Sequence, residues 1–188
     1  AGGIAIFDGV LLGGVVRDND AGSYGGGIGM SVATLDGVTV TGNHADGGGG
    51  IQVGDGGDEI RSCTVSGNTA DSFGGGIDAP YDDEDEIDPE EEGAVLLGGG
   101  LDAGALVLTD TVVSGNEAGE EGGGIYSRIP LDVAGGQIAD NHAGSTGGGL
   151  RMTDDPAALT GTSVLRNSTV QVGGGISLSG EATVSSVG

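Results

Sequence analysis

Residues 62–77 read Ser-Cys-Thr-Val-Ser-Gly-Asn-Thr-Ala-Asp-Ser-Phe-Gly-Gly-Gly-Ile, and residues 110–125 read Asp-Thr-Val-Val-Ser-Gly-Asn-Glu-Ala-Gly-Glu-Glu-Gly-Gly-Gly-Ile. Both pass from a β-branched residue to Asn, then Ala, then a glycine triplet and Ile, at identical spacing. The same two signals run along the whole chain. Gly-Gly before Ile or Leu sets anchors at Ile4, Ile28, Ile51, Ile77, Leu101, Ile125, Leu150 and Ile176, spaced 24, 23, 26, 24, 24, 25 and 26 residues apart. Val or Ile, two residues, then Asn occurs as Val16–Asn19, Val40–Asn43, Val65–Asn68, Val113–Asn116, Ile138–Asn141 and Val164–Asn167. Ala21, Ala45, Ala70, Ala118 and Ala143 each follow an Asn by two. Self-similarity held in phase at this period is the mark of a solenoid.

Strand geometry gives the period a physical meaning. At about 3.3 Å per residue, two or three short strands plus turns use some 24 residues in one circuit. No circuit buries its apolar side alone, but circuits stacked about 4.8 Å apart pair every strand and close a continuous core. Helices are excluded, because the apolar segments are short, β-branched and cut by Gly-Gly-Gly. The expected fold is therefore all-β: a right-handed, single-stranded parallel β-helix of about eight coils of 24–25 residues.

Period-2 alternation sets the facing of side chains. Ile28 and Met30, Ile51 and Val53, Leu150 and Met152, and Ile176 and Leu178 should point inward. Val40, Val65, Val113, Ile138 and Val164 should form an inward stack, with Val38 beside it and Thr39 and Thr41 outward. Asparagine tolerates left-handed backbone angles, so each Asn is expected to end its strand in that conformation. Stacked, Asn19, Asn43, Asn68, Asn116, Asn141 and Asn167 should form an amide ladder, with one rung missing in the fourth coil between Asn68 and Asn116. The glycine triplets supply positive φ and room for close packing.

Composition narrows the function classes. The 188 residues include 45 glycines, no tryptophan and 3% aromatics, so large side chains cannot build the core. The net charge of -24, with five Lys+Arg, disfavours nucleic acid and anionic membrane surfaces. Such a surface suits a salty or calcium-rich exterior. Cys63 is the one cysteine, which rules out an internal disulfide; it should be buried as a small hydrophobe. Apolar runs such as Ala94–Leu97 are too short to span a bilayer. No signal peptide is visible and neither end reads as a cap. Residues 1–188 are thus expected to be one β-helix domain, a segment of a longer or polymeric structure.

These motifs resemble the polymorphic outer membrane protein repeat of chlamydial surface proteins, whose hallmarks are Gly-Gly-Ala-Ile and Phe-x-x-Asn. Here Gly-Gly-Gly-Ile at 25–28, 74–77, 122–125 and 173–176 matches the first, and Val-x-x-Asn at 40–43, 65–68, 113–116 and 164–167 matches the second. Gly replaces Ala, and Val or Ile replaces Phe. The resemblance implies a β-helical passenger of an autotransported adhesin, and it brings no catalytic residues.

Three features stand outside the repeat. Residues 82–92, Asp-Asp-Glu-Asp-Glu-Ile-Asp-Pro-Glu-Glu-Glu, hold nine carboxylates in eleven positions. They take the place of the fourth coil's Val-x-x-Asn, and Pro80 and Pro89 argue against a central strand. A loop protruding from that coil is expected, without lengthening it, since Ile77 to Leu101 is still 24 residues. Asp82, Asp83, Glu84, Asp85, Glu86 and Asp88 are candidate Ca²⁺ ligands, because carboxylate oxygens are what Ca²⁺ prefers; a solvated charged loop is the plainer reading. Asp78, Asp102, Tyr126 and Arg151 take equivalent outward positions on four successive coils. Pectin-degrading β-helix enzymes place paired carboxylates on such a face as acid and base, but an ordinary solvated row explains these residues as well. His44 and His142, four coils and about 19 Å apart at this spacing, cannot share a metal. Thr39, Thr41, Thr64 and Ser66 begin a flat hydroxyl row, which dissolves at Val112, Gln137, Ala139 and Leu165.

The expectation is a non-enzymatic extracellular or cell-surface structural module, adhesive or filament-forming by end-to-end stacking. Its partners would be further copies, neighbouring β-helix segments, or host and cell-surface glycans. Ca²⁺ is the one cofactor considered. The rival is a polysaccharide-active, pectin-lyase-like enzyme using the outward carboxylate row.

Overall fold

A computed structural model describes residues 1–54, 57–80, 104–153 and 155–185. These form 25 strands and no helix. One circuit shows the plan: strands Ile28–Ser31, Thr34–Asp36, Thr39–Thr41 and His44–Gly47 follow one another. The chain then begins the next level at Ile51–Val53, beside Ile28–Ser31. The levels build four sheets of seven, seven, six and five strands, paired in parallel. The chain is a parallel β-solenoid of about six turns. We call the sheet carrying Ile28, Ile51 and Ile77 the anchor sheet, and the one carrying Val40 and Val65 the valine sheet.

The core follows the alternation in the sequence. Ile28, Ile51, Ile77, Ile125 and Leu150 stack at 0% exposure, and Val40, Val65, Val113 and Ile138 stack opposite them at 0–1%. Each such side chain contributes about 1.5–3 kcal/mol of transfer free energy. The backbone is tied level to level: Ile28, Ile51 and Ile77 N–H donate to Gly50, Gly76 and Gly124 carbonyls, each at 2.9 Å.

At the corner beyond the valine sheet, the left-handed residue is the one before Asn. It is Asp18, Gly42, Gly67, Gly115, Asp140 and Arg166, with φ between 51° and 64°. This corrects the expectation that Asn itself takes that conformation. The bend at the preceding residue leaves the Asn side chain turned inward. Asn68 is fully buried. Its Oδ1 accepts from the N–H and Nδ2 of Asn43, both at 3.0 Å. Its Nδ2 donates to the Val40 carbonyl (3.1 Å) and to Asn116 Oδ1 (3.0 Å). The ladder therefore has no missing rung, because Asn68 and Asn116 are direct neighbours although 48 residues apart.

The same step appears on the anchor sheet, where Ile77 pairs with Ile51 on one side and Ile125 on the other. One circuit is thus twice the usual length, and the count falls from eight coils to about six turns. The expectation of an unlengthened fourth coil was wrong. Gly98–Gly100 followed by Leu101 restarts the motif in phase, which made the extra length look like an additional level. The acidic run 82–92, with its candidate ligands Asp82, Asp83, Glu84, Asp85, Glu86 and Asp88, lies outside the described residues. His44 and His142 are three levels apart, through Thr69 and Glu117, rather than four.

Cys63 is 2% exposed. Its Sγ accepts from Val38 N–H at 3.4 Å and donates to the Arg61 carbonyl at 3.1 Å, and its own N–H donates to Thr111 Oγ1 at 3.4 Å. Burial pushes the thiol pKa up. It serves as a rung between levels rather than as a reactive group.

Candidate functional site: the outer corner around Asp78

Two outward rows meet where the chain enters the anchor sheet. On the sheet, register aligns Ala5, Gly29, Gln52, Asp78, Tyr126, Arg151 and Ser177. At the corner, the residues just before each glycine triplet align by single bridges: Tyr24 with Gly47, and Phe73 with Glu121, Thr146 and Val172; Phe73 also pairs with Gly47. The second row was missed in the sequence. Its signal was there to read, because Tyr24, Phe73 and Glu121 each stand immediately before a Gly-Gly-Gly.

Asp78 was expected on a solvated row, yet it is 3% exposed. Gly47 explains part of this. A Cβ at Gly47 would lie 2.9 Å from Tyr24 Cδ1 and 3.0 Å from Asp78 Oδ2. The tyrosine ring and the carboxyl thus share the space a side chain at 47 would fill. Asp78 Oδ1 and Gln52 Oε1 are both buried and have no hydrogen-bond partner among the described residues. Desolvation raises the Asp78 pKa to about 7, opposed by a hydrogen bond from Gln52 and by the charge of Arg128. On the other side, the Tyr126 ring packs on Phe73 with centroids 5.0 Å apart and planes tilted 30°. Burial raises the Tyr126 pKa. Further along, Arg151 Nε sits 3.5 Å from Glu121 Oε2, and Glu121 also accepts from Thr146 Oγ1.

Of the four outward residues named from the sequence, Asp78 and Tyr126 are adjacent and Tyr126 and Arg151 are adjacent. Asp102 lies outside the described residues and is not the neighbour of Asp78 that the spacing suggested, since Asp78 has Gln52 and Tyr126 on its two sides. What stands beside Asp78 is an amide, which can hydrogen-bond but not titrate, and a phenol; the two make no acid–base pair of carboxylates with it.

His44 occupies a separate surface position, with Nδ1 3.5 Å from Asp20 and Nε2 3.2 Å from Asp71. The Asp71 hydrogen bond leads the causes that raise its pKa, with Asp20 adding to them. The small stabilisation from this contact is full at low pH and is lost as pH rises through the raised value. His142 contacts Ser168 Oγ at 3.0 Å. Among the described residues, no three His, Cys, Asp or Glu side chains cluster as metal ligands, and no helix is long and apolar enough to cross a membrane.

Comparison with known proteins adds one result. No curated protein and no solved structure matches the chain. Two stretches, 62–80 and 110–128, match the family model of the Chlamydia polymorphic membrane protein repeat, a family of outer-membrane and surface proteins that are not enzymes. In the solenoid these stretches lie directly on each other, Val65 against Val113 and Ile77 against Ile125. At two stacked levels, then, the chain carries sequence similar to the repeat of a bacterial surface family.

Proposed function

We propose that this chain is a non-enzymatic structural module of a cell surface, adhesive or filament-forming. The observation that carries the reading is the in-register stacking of the two repeat matches within one unbroken ladder. A scaffold of this kind is stiff, because each level is bonded to the next through every strand and through the asparagines. The ladder also has a direction. Each Asn donates to the one on the next level, from Asn19 to Asn167. A further copy or a neighbouring solenoid segment, added in the same sense, continues that pattern. The exposed large apolar residues among the described ones support such contacts. Seven of these nine sit near the two edges: Phe7, Val10, Leu12 and Val15 at one, Val170, Val172 and Val184 at the other; Tyr24 and Val32 lie further in. Head-to-tail contact of this type makes open fibres, not rings. Surface glycans and Ca²⁺ at the acidic run 82–92 belong to the same reading, whereas the charge of -24 opposes nucleic acid.

Six steps of about 4.8 Å give a rod about 29 Å long along the stacking axis. Negative-stain electron microscopy of the purified chain should show rods several times that length, lengthening with calcium and shortening with EDTA. Uniform short particles at all concentrations overturn the filament reading, and indifference to EDTA overturns the calcium one.

A further inference from the structure

Among the described residues, Asp78 is the one acidic member of its outward row, and it is shut away from water. The described elements packed against it bring few charges. The strand Ile51–Val53 offers Gln52, an uncharged amide. The strand Ile125–Ser127 offers Tyr126, with Arg128 just beyond it as the attracting charge. The corner row offers the Tyr24 ring across Gly47, and Glu121 lies on the far side of Tyr126. Behind Asp78 the backbone is tight, since a Cβ on Gly74 would lie 2.7 Å from both Asp78 Cα and Cβ. The corner thus closes directly onto Asp78, with no side chain at 74 or 47 to hold it off. Its Oδ1 meets no donor among the described residues, so a full negative charge there would have only the Gln52 hydrogen bond and the Arg128 charge to offset the loss of solvent.

We propose that Asp78 is a proton-operated latch on this corner: neutral, its carboxyl lets the corner close; ionised, it drives the corner open, lifting Tyr24 and uncovering the Phe73–Tyr126 pair. The sign follows from linkage. The closed form holds the carboxyl proton up to about pH 7, whereas in an opened, hydrated corner Asp releases it near the ordinary value of about 3.9. Opening therefore becomes easier as pH rises through the interval between those values, by up to about tenfold per pH unit for one proton, and levels off above it. The stability conferred by the closed corner is present at low pH and lost toward neutrality.

Backbone hydrogen exchange of the whole chain, corrected for the intrinsic effect of pH, tests this. Protection of amides at 47–49 and 74–79 should fall at least about tenfold between pH 5 and pH 8, while amides of the valine sheet hold theirs. Asp78→Asn should make corner protection flat across the range, and Asp78→Ala should do the same if the amide packs badly. Unchanged corner protection in the wild-type chain overturns the latch. So does an equal fall in both variants, which would assign the pH response to other groups such as His44.

Discussion

Gly75→Ala is expected to cost the solenoid about 3 kcal/mol or more, a large fraction of the stability of a typical domain. The new Cβ would lie 2.2 Å from the Glu117 carbonyl oxygen, 2.5 Å from its carbon and 2.6 Å from the Gly123 oxygen. All three atoms are backbone, and they are held in place by the next level: Glu117 N–H donates to Asn68 O, and Gly75 N–H to Gly122 O. Relief would require separating two levels. Gly37→Ala is the matched control. Its φ is 66°, but nothing lies within 4 Å of the added Cβ, so it should cost about 1 kcal/mol for the left-handed conformation alone. Urea denaturation of the two variants measures the difference. If they unfold at the same midpoint, close approach of the levels is not what reserves position 75 for glycine.

Asn68→Asp should be comparably severe, about 4 kcal/mol at pH 7, from a buried charge and two lost donors. The carboxylate still accepts from Asn43. It presents an oxygen, however, where Nδ2 donated to the Val40 carbonyl at 3.1 Å and to Asn116 Oδ1 at 3.0 Å. Burial raises the new carboxyl's pKa above its unfolded value. Stability is then best at low pH, where the protonated group restores one donor, and is lost as pH rises through the folded-state pKa. Asn68→Ala, which orphans the same partners without adding charge, should cost about 3 kcal/mol with no new pH dependence. Thermal melts of both variants from pH 4 to pH 8 decide. An Asp variant as stable as wild type at pH 7 would refute the ladder's role.

Most of the fold was legible because the repeat encodes it twice. Anchors fix one sheet and Val-x-x-Asn fixes another, so Ile28, Val40 and Asn43 could be placed by counting. Counting failed at Leu101. A motif that restarts in phase looks the same whether it lies in the stack or outside it, and the register of Ile77 on Ile125 is a tertiary fact. The site was half legible. Parity correctly put Asp78 on the outer side, but burial there depends on Tyr24 reaching across Gly47 from another level, which no local pattern states. The left-handed residue before each Asn could have been read from Gly42, Gly67 and Gly115, which occupy that position.

The long circuit has a use of its own. The ladder closes from Asn68 to Asn116 across 48 residues as well as it closes elsewhere across 24–26. Joining the ends of a loop grows dearer only with the logarithm of its length, about 0.6 kcal/mol per doubling. The register on either side of Ala79 and Leu106 should therefore survive exchange of the chain between them for a foreign peptide of similar length, with the Asn68–Asn116 bonds kept. The rod would then serve as a display scaffold, presenting a passenger loop at a fixed height while the levels above and below stay in register.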